Sequence, residues 1–178
     1  MWQEDYIRAY RFAARSHLGQ TFPGTNLPDL MHLSFVSMEV IAALQAESQT
    51  DNESLAIQSA LLHDVLEDTP TDFQTLVNTF GRAVAEGVLA LSKDKELPKS
   101  EQMADSLKRI RQQPREIWMV KMADRLSNLQ APPSYWHQEK IQQYQAEAEM
   151  ILAILKEASP YLAKRLRHKI EEYGSFIV

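Results

Sequence analysis

The 178-residue chain is long enough to bury one hydrophobic core, and its 44% hydrophobic residues with only five glycines exclude a disordered or fibrous protein. Its net charge of −5, without a dense basic stripe, disfavours a nucleic-acid polymer as partner. Because the chain has no cysteine, disulfides and thiolate metal ligands are excluded, and any metal must be held by histidine and carboxylate. The composition predicts one globular domain over residues 1–178.

The N-terminal stretch MWQEDYIRAYRF mixes charged and aromatic residues and lacks the apolar core of a signal peptide. No later run has the uncharged length needed to cross a bilayer. We therefore expect a soluble, cytoplasmic protein without a membrane partner. No sequence pattern specifies an oligomeric state.

Apolar residues recur every three or four positions along almost the whole chain, and no run alternates as a strand would. The pattern predicts an all-α bundle of eight or nine helices. The predicted helices are 3–18, 32–47, 53–67, 72–80, 82–92, 99–112, 114–129, 135–157 and 160–173. Gly81 suits a left-handed helix end, and Ser159 followed by Pro160 is typical of a helix start.

Residues 61–70, LLHDVLEDTP, concentrate ionisable groups. On a continuous helix with about 100° per residue, His63, Asp64, Glu67 and Asp68 lie on one face and four apolar residues lie on the other. An ordinary solvated helix face has this pattern. A metal and phosphate site also has it, if its remaining parts lie elsewhere in the chain.

A second segment, IWMVKMADRLSNL, has apolar residues all round its helical axis and is predicted to be buried. Lys121, Asp124 and Asn128 nevertheless share a narrow stripe along it. A lone buried carboxylate is strongly destabilising unless it is paired or bound to a cation. Asp124 therefore requires a partner, which is either a salt bridge to Lys121 or Arg125 or a metal ion.

A third residue, His32, begins the predicted helix that follows a proline-containing loop. By itself such a histidine is typical of an ordinary helix end. Together with His63, Asp64 and Asp124 it would form a set of two imidazoles and two carboxylates from three separated helices. That set suits a divalent cation of the manganese, iron or zinc type, with positions left for water.

The order H…HD…D resembles that of HD-superfamily metal-dependent phosphohydrolases, and the detail resembles the hydrolase domain of RelA/SpoT-type proteins, particularly the small alarmone hydrolases. The resemblance covers nearly the whole chain. Its segments are FAARSHLGQ, PGTNLPDLMH, ALLHDVLEDTPTDFQTLVNTFG, SKDKELPK, VKMADRLSNL and the W-x-x-x-K-x-x-x-Y pattern from Trp136. HDVLEDT together with MADRLSNL is much more specific than HD alone.

The resemblance implies four metal ligands, namely His32, His63, Asp64 and Asp124. It also implies that Glu67 and Asp68 are a catalytic acidic pair that orients or deprotonates the attacking water. The implied cofactor is one divalent ion, with Mn²⁺ favoured over Fe, Zn or Ni. A two-metal site is not expected, because no spare histidines accompany this set.

The resemblance further implies four substrate-binding residues, namely Asn128, Lys99, Lys140 and Tyr144. Asn128 matches a nucleotide-contacting asparagine, and the others match phosphate-side and base-side positions. Trp136, Lys140 and Tyr144 repeat every four residues, so their stripe could offer a stacking surface and a cation to a nucleotide. An ordinary amphipathic face against the core has the same spacing.

The implied reaction is hydrolysis of the 3′-diphosphate of ppGpp or pppGpp, which gives GDP or GTP and pyrophosphate. The partner is thus a small-molecule nucleotide. Three departures from the family alter the predicted pocket rim. Residues 21–23 read Thr-Phe-Pro where long relatives often carry Arg-Lys, Asp29 stands where tyrosine is usual, and LQAPP follows Asn128.

Two alternatives therefore stay open: a phosphohydrolase acting on another phosphorylated nucleotide such as NADPH, and a catalytically silent nucleotide-binding module. Among the other histidines, His17 belongs to the H-x-G-Q segment and is expected to be structural. His137 and His168 are expected to be solvated.

Overall fold

The computed structural model describes residues 1–47 and 52–177, and within these ranges the chain is all-α, as predicted. The α-helices are α1 Trp2–Ser16, α2 Leu30–Ala46, α3 Glu53–Leu62, α4 Val65–Asp68, α5 Phe73–Phe80, α6 Arg82–Leu91, α7 Lys99–Ile110, α8 Arg115–Asn128, α9 Gln138–Leu155 and α10 Pro160–Tyr173. Two short 3₁₀ helices cover Lys156–Ala158 and Gly174–Phe176. None of the helices in the described ranges has both the length and the apolar character needed to cross a membrane.

Helix α8 occupies the centre of the bundle. It contacts α2, α3, α6, α9 and α10, and nearly all of its residues are buried. Ile117, Met119 and Met122 are fully enclosed. A helix that is apolar all round is stable only in such a position, so the fold carries Asp124 into the protein interior.

The predicted helix 53–67 is wrong as a continuous element. It divides into α3 and α4, with His63 and Asp64 between them. The His63 Nδ1 atom lies 2.8 Å from the Ala60 carbonyl oxygen, which in an unbroken helix would accept the amide of Asp64. The His63 side chain thus takes the place of the Asp64 amide at the Ala60 carbonyl. Because the helix is broken there, the two faces predicted for a continuous helix over 61–68 do not exist.

The two predicted helix-end signals have different outcomes. Ser159 is confirmed as a cap, because its Oγ accepts the amide of Leu162 at 3.0 Å, and Pro160 begins α10. Gly81 has a φ of 87°, which favours glycine, but its ψ of 164° lies outside the left-handed helical region that was predicted.

The loop between α1 and α2 folds back over the end of α8. Gly24 has a φ of 77°, and a Cβ atom there would lie 3.2 Å from the side chain of Pro133. This close approach favours glycine for both conformation and space. In this loop, Phe22 and Pro23 lie beside Asn128 at the end of α8.

Candidate metal centre and adjoining cavities

Four side chains from three parts of the fold converge near the C-terminal half of α8. The Nε2 atoms of His32 and His63 are 3.2 Å apart. Asp124 Oδ1 lies 3.4 Å from Nε2 of His32, and Asp64 Oδ2 lies 3.1 Å from Nε2 of His63. The predicted set is therefore brought together in space.

The two imidazoles direct the same ring nitrogen toward this centre. Nδ1 of His63 faces the Ala60 carbonyl, and Nδ1 of His32 lies 3.1 Å from the hydroxyl of Ser127. Because a carbonyl only accepts, Nδ1 of neutral His63 is the protonated nitrogen and its Nε2 carries a lone pair. Such an outer hydrogen bond is typical of metal-binding histidines.

Asp124 is buried and has polar partners along its own helix. Its Oδ2 accepts from Lys121 Nζ at 2.9 Å, and its Oδ1 accepts from Asn128 Nδ2 at 2.7 Å. Burial opposes ionisation, but Lys121 and the two nearby imidazoles hold the pKa of Asp124 well below its usual range. Arg125 pairs with Glu147 at 3.0 Å, so it is not the partner of Asp124.

The charges at the centre suit a cation. Burial alone would lower the pKa of His63, but the carboxylates of Asp64 and Asp124 raise it to about 9. The site thus stabilises positive charge at a point where two imidazole nitrogens and carboxylate oxygens meet. In the described ranges, His32, His63 and Asp124 place their ligand atoms within 4.8 Å of one another, with Asp64 adjacent. These donors fit a divalent metal ion.

The acidic pair lies at the end of α4 beside the loop 92–98. Glu67 Oε2 accepts the backbone amide of Lys93 at 2.9 Å. Asp68 is exposed, and its Oδ1 lies 3.4 Å from Lys95 Nζ. Lys95 Nζ also donates to the main-chain oxygen of Glu67 at 2.6 Å.

A cavity of about 260 Å³ joins the acidic pair to the candidate metal centre. His63, Asp64 and Asp124 line it together with Glu67 and Asp68. The lining also includes Lys93, Lys121, Arg125, Asn128 and Tyr144. Acidic and basic groups therefore face one small space.

A wider groove of about 660 Å³ adjoins this cavity. Lys99, Lys140 and Tyr144 line the groove, and Tyr144 and Lys93 also line the smaller cavity. Lys140 Nζ lies 4.0 Å from the centre of the Trp136 ring. The structure thus places Asn128 at the candidate metal centre and the two lysines in the neighbouring groove.

The residues predicted to alter the pocket rim lie close to this region. The Phe22 ring centre is 5.8 Å from that of His32, and Pro23 lines the metal-side cavity. The residues after Asn128 line a further cavity of about 150 Å³, which is mainly apolar and reaches Tyr144. Asp29 lies 3.6 Å from Nδ1 of His17, and burial raises its pKa.

Sequence reasoning missed Lys93 and Lys95. Both belong to SKDKELPK, whose density of lysines next to a predicted helix start was the available signal. It also missed Gln20, whose Nε2 donates to the main-chain oxygen of Asp68 at 2.7 Å. Single polar residues in loops carry no periodicity that would single them out. His137 and His168 are exposed, in agreement with their prediction.

The model of the HD-domain family matches residues 9–160. The chain belongs to this family. An HD domain implies a divalent metal, which agrees with the donors gathered at His32, His63 and Asp124.

Named relatives and a solved structure extend this similarity. The guanosine-3′,5′-bis(diphosphate) 3′-pyrophosphohydrolase MESH1 of Danio rerio is 30% identical over 174 residues, which cover 94% of this chain and 93% of the relative. The bifunctional (p)ppGpp synthase/hydrolase SpoT of Escherichia coli is 35% identical over 71% of this chain and 18% of its own length. A metazoan ortholog of SpoT described as hydrolysing ppGpp superposes with a TM-score of 0.81 at 27% identity, covering 96% of each chain. This HD-domain chain is therefore similar in sequence to MESH1 and to part of SpoT, and similar in fold to the metazoan ortholog.

The geometry predicts that Asp124 is required for metal binding. We expect the protein to bind one divalent metal ion and to gain about 2.7 kcal/mol of unfolding free energy at a hundredfold excess over its Kd. Asp124→Asn should abolish both effects, because it removes the charge while keeping the size. Metal analysis and thermal unfolding with added Mn²⁺ measure them.

Asp105→Asn is the matched control, because Asp105 pairs with Arg109 on α7 and does not line the metal-side cavity. It should bind metal as the parent protein does. Stoichiometric metal in purified Asp124→Asn would contradict the assignment.

Proposed function

We infer that this chain is a metal-dependent (p)ppGpp 3′-pyrophosphohydrolase. It converts ppGpp to GDP, or pppGpp to GTP, and releases pyrophosphate. The observation that supports this most is the similarity to MESH1 along almost the full length of both chains. The polar cavity beside that site supports hydrolysis over a purely binding role, because two further carboxylates line it.

We propose that the metal ligands are His32, His63, Asp64 and Asp124. Mn²⁺ is the favoured ion, since mixed imidazole and carboxylate donors with open positions suit it, although Fe, Zn or Ni also bind such sets. When bound, the ion lowers the pKa of water and neutralises phosphate charge. Lys121 and Asn128 orient the Asp124 carboxylate toward the other ligands.

Glu67 and Asp68 serve as the acidic pair that orients the attacking water and accepts its proton. Water adds at phosphorus, the phosphoester bond to the ribose 3′-oxygen breaks, and that oxygen takes up a proton. The backbone amide of Lys93 donates to Glu67 and the ammonium of Lys95 lies beside Asp68, so both carboxylates are held in place.

The lysines Lys93, Lys99 and Lys140 hold the phosphates of the substrate in the groove next to the cavity. Burial raises the pKa of Tyr144, so its phenol stays neutral and can donate a hydrogen bond to the nucleotide. Asn128 lies between the metal-side cavity and the apolar one, where it can contact the nucleoside. We further propose that residues 1–178 act as one cytoplasmic enzyme domain on this small molecule.

Purified protein should release pyrophosphate from ppGpp only when Mn²⁺ is present. Pyrophosphate and inorganic phosphate are assayed separately, with NADPH as the second substrate. Release of phosphate from NADPH without turnover of ppGpp would favour the alternative substrate. An inactive protein that binds guanine nucleotides would favour a silent module.

Substitution of the acidic pair should separate chemistry from metal binding. Glu67→Gln and Asp68→Asn should each lower kcat by about 10²-fold or more, because general acid–base groups contribute on this scale. Metal content should stay unchanged, since neither carboxylate is needed to hold the ion. Glu171→Gln, at an exposed position of α10, is the control. Full activity in both pair variants would contradict their assigned role.

Removal of one groove lysine should affect substrate binding. Lys140→Gln should raise KM for ppGpp about tenfold, as expected for loss of one charge-assisted hydrogen bond. The difference should shrink at high ionic strength, because salt screens an exposed charge. Lys164→Gln on α10 is the matched control. An unchanged KM in Lys140→Gln would remove Lys140 from the binding site.

A further inference from the structure

We propose that Gln20, held by His17, is a positioning residue that fixes the acidic pair at the end of α4. This inference rests on the proposed hydrolase function, because it assigns a role relative to Glu67 and Asp68. Gln20 is not among the residues that line the metal-side cavity or the lysine groove. It therefore acts through the segment that it holds.

Helix α4 is too short to be stable by itself. It contains four residues, Val65–Asp68, whereas isolated helices shorter than about 12 residues are marginal in water. The carbonyl groups at its C-terminal end also lack intrahelical partners. The position of the acidic side chains therefore depends on bonds from outside the helix.

Two loops supply these bonds to the main chain. Gln20 Nε2, from the α1–α2 loop, donates to the Asp68 carbonyl at 2.7 Å. Lys95 Nζ, from the loop before α7, donates to the Glu67 carbonyl at 2.6 Å. Consecutive carbonyls are thus held by two segments that are far apart in the sequence.

The direction of the Gln20 amide follows from its partners. The Asp68 carbonyl only accepts, so the Gln20 NH₂ group faces it and Oε1 faces Nδ1 of His17 at 2.7 Å. Nδ1 of His17 must therefore carry the proton. Nε2 of His17 is buried without a hydrogen-bond partner within residues 1–47 and 52–177, so the ring makes one directed bond to Gln20.

The backbone between these residues allows the arrangement. The amide of Gln20 donates to the His17 carbonyl at 3.0 Å, which closes a turn. Gly19 lies at the third position of this turn with a φ of 83°, where glycine is favoured. The H-x-G-Q segment thus forms a rigid connection from α1 to the end of α4.

The test combines substitutions with turnover of ppGpp. Gln20→Met keeps the length of the side chain but removes the donor. It should lower kcat by about tenfold to hundredfold, since a displacement of about 1 Å can reduce rate on this scale. KM and metal content should stay within about twofold of the parent, because phosphate-binding and metal-binding residues are unchanged. Gln112→Met, at an exposed position after α7, is the matched control.

Variants of His17 test the relay from His17 through Gln20. His17→Leu should lower kcat, whereas His17→Asn should retain most of it, because its amide can replace the Nδ1 donor. In a Gln20→Met background, His17→Leu should add no further loss, as expected when one residue acts through the other. Additive losses, or an unchanged kcat in Gln20→Met, would overturn the proposal.

Amide hydrogen exchange provides a readout that does not depend on activity. Exchange in residues 66–71 should be faster in Gln20→Met, while exchange in α10 stays unchanged. If the parent protein does not hydrolyse ppGpp, the proposed function fails and the exchange result still decides the positioning role. Equal exchange in the parent and Gln20→Met would overturn that role.

Discussion

The carboxylate of Asp124 in the central helix is the constraint on which the site depends. It lies in the protein interior, where an ionised group is stable only with compensating charge and hydrogen bonds. Lys121 and Asn128 supply part of this compensation from the same helix. The Nε2 atoms of His32 and His63, with the adjacent carboxylate of Asp64, complete a centre that is suited to a cation. The helical bundle therefore buries Asp124 at the point where the candidate metal ligands meet.

The break between α3 and α4 connects this centre to the acidic pair. His63 and Asp64 occupy the break, and Glu67 and Asp68 follow within one turn. A short helix lets these four side chains face one cavity, but it leaves α4 dependent on its surroundings. Bonds from Gln20 and from the loop 92–98 provide that support. The proposed catalytic groups therefore depend on hydrogen bonds from outside their own four-residue helix.

The sequence predicted the all-α class and the boundaries of most helices because the apolar periodicity is strong and uninterrupted. It also predicted the four convergent residues, since the motif that spans the break between α3 and α4 and the motif on α8 are specific. The break at His63 was missed because a helical wheel assumes continuous main-chain hydrogen bonding, whereas the His63 side chain takes the Ala60 carbonyl. Gln20, Lys93 and Lys95 were missed because their roles arise from contacts between distant loops.

The residues predicted to alter the pocket rim contribute mainly apolar side chains to it. Phe22 packs near the ring of His32, and Pro23 lines the metal-side cavity. The residues after Asn128 form an apolar cavity beside it. Hydrophobic contacts thus occupy part of the rim, while the lysines of the groove carry its positive charge. The apolar rim suits a planar base and the lysines of the groove suit phosphates, which supports a substrate that contains both.

Anomalous X-ray diffraction from crystals grown with Mn²⁺ tests the central claim most directly. We expect one anomalous peak about 2.0–2.3 Å from Nε2 of His32, Nε2 of His63 and carboxylate oxygens of Asp64 and Asp124. A peak at another location, or none at saturating Mn²⁺, would contradict it.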